Sequence, residues 1–242
     1  LVFSLPLTYA EKIRQVPGVS SVAWANWFGG IYVNERNFFA QFAISGASYL
    51  DMYPEFVLSD AERKAFLADR VGAIAGRKLA DKYGWKVGDQ IPLRGTIYPG
   101  TWTFTLRGIF EGAEGGTDTS TFFFHFDYLN ESVKRLFPRR GDQTGVLIER
   151  LRDPEDAAAV SQAIDTTFRN SLAETLTETE KAFQLGFVAM SEAILLAIQA
   201  VSYVVIVIIM AVMANTMAMT ARERYGEYAT FKALGFSNGF VA

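Results

Sequence analysis

The sequence predicts an α+β protein, in which a mixed α/β domain is followed by a long stalk and transmembrane α-helix. The chain opens with a helix, a strand, a turn and two further strands, the element order of one layer of an α+β sandwich. Residues 86–94 and 101–110 have the pattern of strands on either side of a Tyr98-Pro99-Gly100 turn. Residues 193–221 contain no charge, proline or glycine, and a bilayer crossing needs only about 20 such residues.

Residues 1–170 can be divided into elements from apolar periodicity and from turn and capping residues. In order, the predicted elements are a helix at 8–16, strands at 19–27, 31–33 and 38–44, a helix at 59–68, a strand at 71–74, a helix at 76–83, strands at 86–94, 101–110 and 121–129, a helix at 130–137, a strand at 144–149 and a helix at 153–169. The β-rich segment 76–120 is predicted to be an inserted subdomain between two halves of one domain, residues 1–75 and 121–170.

Three helix starts carry capping residues. Ser59 and Glu62 have the spacing of a capping box, in which the two side chains bond to free amides at the start of a helix. Asp153 followed by Pro154 suits the first turn of another helix. Ser171 and Glu174 form a second capping box, which predicts that the last helix begins there.

The last helix is predicted to carry one apolar seam from the domain into the membrane. Residues 171–192 form its stalk and residues 193–221 its transmembrane part. The seam residues recur at spacings of three, four or seven, as on one face of a helix. They are Leu172, Leu176, Phe183, Phe187, Met190 and Ile194. Because a helix is stiff along its axis, such a stalk can carry motion.

The charges beside the apolar run predict its orientation. Arg222, Arg224 and Lys232 follow the run, and basic residues near a span favour the cytoplasmic side. We therefore expect a cytoplasmic C-terminus and an extracytoplasmic N-terminal domain. Such a domain has to be exported, and the opening residues lack the basic region of a signal peptide. An earlier span is therefore expected before Leu1.

No catalytic or metal-binding pattern is visible in the sequence. A net charge of −3 argues against a nucleic-acid partner, and the absence of cysteine excludes thiolate chemistry and disulfides. His125, the one histidine, sits among phenylalanines without partners at ligand spacing, so a packed or edge histidine is favoured. We expect no enzyme activity and no cofactor. Most of the abundant aromatic residues are assigned to the core, and a minority to a surface that contacts lipid-like cargo or a partner.

Residues 214–235 resemble the FtsX/MacB-like ABC transporter permeases. The matching motifs occur in the family's order: Asn215-Thr216, Arg222-Glu223-Arg224, Glu227 and Lys232-Ala233-Leu234-Gly235. The outer domain is similar more loosely, through residues 16–19, 79–80 with 87–89, and 107–110. Tyr225-Gly226 and residues 228–231 depart from the family pattern, and Gly226 would loosen a helix by about 1 kcal/mol relative to alanine.

The resemblance implies a fold, partners and a location. The outer domain would be porter-like with an inserted β-rich part, in a type VII (MacB/LolCE-like) permease of the bacterial inner membrane. Residues 222–242 would form a truncated cytoplasmic coupling segment that contacts an ABC ATPase subunit. The implied coupling residues are Arg222, Glu223, Arg224, Glu227, Lys232, Ala233, Leu234 and Gly235. A second permease copy, a periplasmic adaptor or lipoprotein, and membrane lipid are the other implied partners; the cargo would be a lipoprotein, a lipid-like compound or an amphiphile.

Two other classes of protein remain open. In a membrane-anchored sensor, the outer domain would bind a ligand and the span would signal inward. A tethered hydrolase would require carboxylates distant in sequence to meet in the fold.

Overall fold

The computed structural model describes residues 4–235, with the side chains of residues 184 and 186–195 excepted. The strands are β1 (Leu5–Pro6), β2 (Val19–Trp27), β3 (Gly30–Ile31), β4 (Ala40–Ile44), β5 (Phe56–Val57), β6 (Gly72–Gly76), β7 (Gln90–Gly95), β8 (Gly100–Gly112), β9 (Thr121–His125), β10 (Gln143–Thr144) and β11 (Val146–Leu151). The helices are α1 (Tyr9–Arg14), α2 (Ala47–Met52), α3 (Asp60–Ala68), α4 (Arg77–Tyr83), α5 (Phe126–Leu136), α6 (Ala157–Phe168) and α7 (Glu180–Ala233). The chain divides after Thr177 into a mixed α/β unit and a second unit that contains α7.

Nine strands within residues 4–235 form one mixed sheet. Its order is β11-β2-β4-β9-β6-β8-β7-β3, and β5 pairs with β8 off this path. The β4–β9 and β6–β8 pairs are parallel, and the remaining pairs of this sheet are antiparallel. β1 and β10 form a separate two-stranded ribbon. This mixed domain, followed by a long apolar helix, confirms the predicted fold class.

Helices cover both faces of the sheet. Residues of α4 and α5 join the larger core on one face, and residues of α2 and α3 join a second core on the other. A third core joins α1 and α6 to β2, with Ile13, Val22 and Ile164 fully buried in it. Each face is therefore buried beneath helices, as in a layered α/β structure.

The aromatic segment TFFFH forms the central strand β9. Phe122 and Phe124 point into the larger core, whereas Phe123 points into the second core. This division follows from the alternation of side chains along a strand. The phenylalanine run is therefore explained by burial on both faces, since all three side chains are at most 2% exposed.

Several predicted elements lie where local residue patterns place them. β2 has the predicted bounds, and α3 ends at the predicted residue, Ala68. α4 is closed by Gly84 with a φ of 68°, a left-handed value that favours glycine. The predicted strand at 121–129 is shorter, because α5 begins at Phe126 and buries Phe126, Leu129 and Val133 on one face.

The segment 76–120 is β-rich as predicted, but it does not form a separate sheet. β8 lies between β6 and β7 in the nine-stranded sheet, and its parallel pairing with β6 joins the segment to the rest of the domain. The segment thus shares one sheet with its neighbours, and the subdomain boundary at residue 76 stays a prediction. In an isolated hairpin of the two predicted strands, one side of β8 would have unpaired backbone N–H and C=O groups. Pairing with β6 satisfies these groups.

The capping box at the start of α3 also ties this helix to the sheet. The Ser59 hydroxyl accepts from the Glu62 amide at 3.3 Å, and a Glu62 carboxylate oxygen accepts from the Ser59 amide at 3.2 Å. The other Glu62 oxygen accepts from the amide of Ile109 on β8 at 3.1 Å. Burial raises the pKa of Glu62, but the bonds from Ser59 and Ile109 and the charge of Arg77 outweigh it, so the pKa lies below its usual value.

Glu62→Ala is expected to destabilise the domain by about 1–2 kcal/mol at pH 7, because it removes a cap and a contact to the sheet. The folded-state pKa of Glu62 is lowered, so its stabilisation is present above the unfolded-state pKa and is lost as pH falls through the folded-state pKa. Urea unfolding at pH 7 and at pH 3 checks both points. The difference in the free energy of unfolding between wild type and Glu62→Ala should be smaller at pH 3 than at pH 7. Lys64→Ala, an exposed change on the same helix, should show no such difference at either pH.

The predicted start of the last helix at Ser171 is wrong, because α7 begins at Glu180. The Glu174 carboxylate accepts from the Asn170 amide at 2.8 Å instead of closing a capping box with Ser171. The Thr179 hydroxyl caps α7 by accepting from the Ala182 amide at 3.3 Å. Residues 172–179 are therefore not helical.

The predicted apolar seam is accordingly shorter. Leu172 and Leu176 precede α7 and are 107% and 81% exposed, so they are removed from the seam. Phe183 lies on α7 with an exposed side chain. Phe187, Met190 and Ile194 also lie on the backbone of α7, and their side chains fall outside the described part of the structure.

Candidate functional site

The second unit contains a helix that is long and apolar enough to cross a membrane. The candidate span is Leu196–Ala233, and the apolar side chains along it are exposed to the surroundings. At ~1.5 Å per residue, its 38 residues extend over roughly 57 Å, more than the ~30 Å of a hydrocarbon core. The helix is therefore longer than the hydrocarbon core is thick, and it extends beyond that core.

Hydroxyl groups in the apolar part of α7 are satisfied by its own backbone. Ser202 donates to the Ile198 carbonyl at 2.9 Å, and Thr216 donates to the Val212 carbonyl at 2.9 Å. Such bonds to the carbonyl four residues earlier satisfy the hydroxyl donors of Ser202 and Thr216 in an apolar environment. These polar side chains are therefore compatible with a membrane span.

The predicted coupling residues occupy the last turns of the same helix. Arg222, Glu223, Arg224 and Glu227 are all exposed on α7. Gly226 does not interrupt the helix, and its carbonyl accepts from the Thr230 hydroxyl at 2.9 Å. The structure therefore brings the mixed charges together on one rigid element.

Glu223 and Glu227 are four residues apart and lie on the same side of α7. Like charges at this spacing weaken a helix by a few tenths of a kcal/mol. A cationic group docked beside them would relieve this repulsion. The arrangement is suited to binding a partner through opposite charge.

Residues Lys232, Ala233, Leu234 and Gly235 form the end of α7. The Leu234 amide donates to the Thr230 carbonyl at 3.1 Å, and the Gly235 amide donates to the Lys232 carbonyl at 3.1 Å. Gly235 has a φ of 86°, a left-handed value that non-glycine residues rarely adopt. This motif therefore has a structural role as a helix stop, and residues 236–242 of the predicted segment lie outside the described residues.

The one histidine of the outer domain lies against an aromatic ring. The His125 ring stacks on Phe66 with centroids 4.1 Å apart, and its Nε2 lies 2.7 Å from the Phe66 carbonyl oxygen. Among the described residues, no group of three or more His, Cys, Asp or Glu side chains could hold a metal ion. His125 is thus a packed residue at the end of β9.

Among the described residues of the outer domain, three aromatic side chains are exposed, namely Trp27, Phe38 and Phe137, and the first two lie near each other. Trp27 is 37% exposed and Phe38 is 69% exposed, and their rings lie 6.1 Å apart. The other residues of the aromatic cores are mostly buried.

Comparisons with known proteins agree with this architecture. Residues 2–167 match the family described as "MacB-like periplasmic core domain". The extracellular domain of the noncanonic ABC-type transporter YknZ from Gram-positive bacteria is similar, with 14% identity, a TM-score of 0.52, and coverage of 72% of this chain and 87% of that chain. The periplasmic region of MacB from Actinobacillus actinomycetemcomitans is similar at 10% identity and a TM-score of 0.52, covering 75% of this chain and 82% of that chain. No curated protein matches the chain.

The mixed domain and the apolar helix together define a membrane-anchored component of an ABC-type transporter permease, with the mixed domain outside the cytoplasm. The chain belongs to the MacB-like periplasmic core domain family, because the match to that family covers more than half of its residues. The family implies an ATPase partner and dimerisation, and it is a transporter component rather than a typical enzyme.

The residues that attach the domain to the start of α7 were not identified from the sequence. Asp165 on α6 accepts hydrogen bonds from Thr175 and Thr177, which lie in the extended segment before α7. The alternating threonines at positions 175, 177 and 179 are the signal that could have indicated an extended segment, because β-branched residues at every second position favour one.

Proposed function

We propose that this chain transmits ATP-driven movement in a type VII ABC permease. Its extracytoplasmic domain and stalk would export or extract lipoprotein, lipid-like or amphiphilic cargo, or would act on a periplasmic partner. The observation that carries the proposal is the continuity of α7, in which one unbroken helix joins the apolar span to the mixed-charge segment. Displacement at one end of a continuous helix moves the other end.

Each part of the chain has its own role in this transmission. Residues up to 170 form the porter-like domain, the apolar part of α7 crosses the bacterial inner membrane, and the segment from Arg222 onwards lies in the cytoplasm. The orientation is supported by Arg222, Arg224 and Lys232, which follow the apolar run. The ATPase would bind at the exposed coupling residues, and a second permease copy would complete the assembly.

Glu227→Lys is expected to weaken the stimulation of the ATPase by at least about fivefold, a loss of roughly 1 kcal/mol of coupling. The new cation would stand one turn from Arg224 and would remove half of the acidic pair on α7. The measurement is ATP hydrolysis by the reconstituted complex with and without the permease. The thermal unfolding of the outer domain should be unchanged.

Glu178→Lys provides a matched control, because it reverses an exposed charge before α7 begins. Stimulation by this variant should equal that of wild type. Unchanged stimulation and assembly with Glu227→Lys would remove this residue from the coupling surface. A pull-down of the wild-type protein from membranes that recovers no nucleotide-binding subunit would contradict the permease function and favour the sensor.

A further inference from the structure

A non-helical segment connects the outer domain to the membrane helix. Residues 169–179 follow α6 and precede α7. Their exposure alternates, with Ser171, Ala173, Thr175 and Thr177 partly buried and the residues between them exposed. This period of two is that of an extended chain lying along a surface. We name residues 171–177 the connecting strap.

The first part of the connecting strap is fixed to the third core. The Tyr9 hydroxyl donates to the Ser171 hydroxyl at 3.0 Å, and the Ser171 amide donates to the Phe168 carbonyl at 3.1 Å. Ala173 packs against the same core, in which Tyr9 and Phe168 stack with ring centroids 4.0 Å apart. This part of the strap is therefore attached to α1 and α6.

The last part of the connecting strap is held by a single carboxylate. Asp165 Oδ1 accepts from the Thr175 hydroxyl at 2.8 Å, from the Thr177 hydroxyl at 2.8 Å and from the Thr177 amide at 3.0 Å. The Thr177 amide also lies 3.3 Å from Oδ2. Among the described residues, the side-chain hydrogen bonds of both threonines go to Asp165. Bonds to an ionised acceptor are about twice as strong as bonds between neutral groups.

The attachment at Thr177 comes just before α7 in the sequence, so it can transmit a displacement of that helix. Only Glu178 and Thr179 separate Thr177 from Glu180, the first residue of α7. A loose connection would absorb the displacement of a helix, because flexible segments bend at little cost in free energy. A connection fixed at Thr177 passes the displacement to whatever holds it.

Asp165 stands on an element that is itself packed on the sheet. The α6 residues Val160, Ile164 and Phe168 are buried in the third core together with Val19 and Val22 of β2. A force on Thr177 would therefore reach β2 through Asp165 and α6. Packed elements of this kind move as units.

We propose that Asp165 is the positioning residue through which movement of α7 enters the outer domain. The proposal rests on the proposed transmission function. The attachment of the connecting strap to α6, rather than the sequence of the strap, is what allows ATP-driven movement to reach the outer domain. Loss of this attachment should leave the ATPase active while its work no longer reaches the outer domain.

The test uses the full chain, assembled with its ATPase in nanodiscs, and two variants that weaken the attachment from opposite sides. Asp165→Ala removes the acceptor of every bond, whereas the double change Thr175→Val with Thr177→Val removes both hydroxyl donors and keeps the Thr177 amide bond. We expect both variants to bind the ATPase and hydrolyse ATP within about twofold of wild type. The ATP-dependent distance change between two labels in the outer domain should fall at least fivefold in Asp165→Ala and by a smaller factor in the double threonine variant.

Asp153→Ala is the matched control. The Asp153 carboxylate also accepts a backbone amide, that of Glu155 at 3.0 Å, but it does not touch the connecting strap. This variant loses a comparable local bond, and it should keep the full ATP-dependent distance change. Thermal unfolding of all variants separates a loss of transmission from a loss of folding.

A removable covalent link provides a direct rescue. Because the chain contains no cysteine, the pair Asp165→Cys with Thr177→Cys introduces two thiols on an otherwise thiol-free background. Oxidation joins the two thiols into a disulfide with loss of two protons and two electrons to the added oxidant. The oxidised protein should regain the distance change, and the reduced protein should lack it.

Two results would overturn the assignment of Asp165. One is a wild-type distance change in Asp165→Ala, which removes the acceptor of every bond to the connecting strap; the other is an equal response of the oxidised and reduced cysteine pair. A wild-type chain that binds no ATPase has a different meaning, because the transmission function then fails and this inference fails with it. A wild-type chain that responds to ATP while all variants also respond removes only the role of Asp165.

Discussion

Gly76→Ala is expected to destabilise the outer domain by about 3 kcal/mol, because a β-carbon at this position has no space. An added Cβ would lie 2.1 Å from the Thr119 carbonyl oxygen and 2.6 Å from the Thr119 Cα. Both contacts are with backbone, so no side-chain rotation relieves them. The backbone of Thr119 would have to move away from the end of β6.

That movement would also weaken the start of α4. The Thr119 carbonyl accepts from the Leu79 amide at 3.3 Å, and the Thr119 hydroxyl lies 3.5 Å from the Lys78 amide. These groups satisfy free amides in the first turn of the helix. Gly76 is therefore required for the loop after β8 to close over α4.

Thermal unfolding of the full chain in detergent checks this expectation. A domain of this size loses ~2–4 °C in Tm for each kcal/mol, so a decrease of roughly 6–12 °C is expected. Gly116→Ala is the control, because an added Cβ meets nothing within 4 Å there. Equal Tm values for the two variants would show that the domain can open at residue 119 without cost.

Two arginines in the middle of the apolar run should prevent α7 from integrating into the membrane. Val205→Arg and Ile209→Arg lie one turn apart near the centre of residues 193–221, and both native side chains are about half exposed. Each arginine at the centre of a span costs about 2.5–3.5 kcal/mol, so the pair costs ~5–7 kcal/mol. Residues 1–242 expressed on their own should then shift from the carbonate-resistant membrane fraction to the extractable fraction.

The double change Val205→Leu with Ile209→Leu is the matched control, because it alters the same positions without adding charge. It should remain in the membrane fraction. If the arginine pair also remained there at wild-type levels, the apolar run would not be a membrane span. The coupling proposal would then lose its route through the bilayer.

Elements with local causes could be predicted from the sequence. The capping box of Ser59 and Glu62 and the apolar spacing after it determine α3, and the predicted end at Ala68 is correct. Gly84 supplies the left-handed residue that ends α4, and Gly235 does the same for α7. In each case the interacting groups lie within about five residues of each other, so their pattern is visible in a short window.

Elements with distant causes could not be predicted in this way. The capping box expected at Ser171 does not form, because Asp165 on another helix bonds to the threonines that follow. The insertion expected at 76–120 is absorbed into the main sheet by the parallel pairing of β6 with β8. Helix α2 was missed because it begins after Gly46 without a side-chain cap, so no local residue marks its start.

The candidate functional site also has one part that could be predicted from the sequence and one part that could not. The exposed charges from Arg222 to Glu227 are placed on α7 by helical continuity alone, and this could be read from the sequence. The attachment through Asp165 depends on how α6 packs on β2, which no single stretch of residues encodes. Apolar spacing suggested a helical stalk at Leu172 and Leu176, where hydrogen bonds to α6 produce an extended chain.

The pairing of β2 determines the order in which the outer domain can be completed during export. β2 lies between β11 and β4, and the Thr144 hydroxyl donates to the Ala25 carbonyl, 119 residues away in sequence. During secretion β2 emerges early and has an open edge until β11 has also been translocated. Such an edge favours aggregation until it is paired. The edge of β2 is therefore covered only once β11, which ends at Leu151, is available to pair with it.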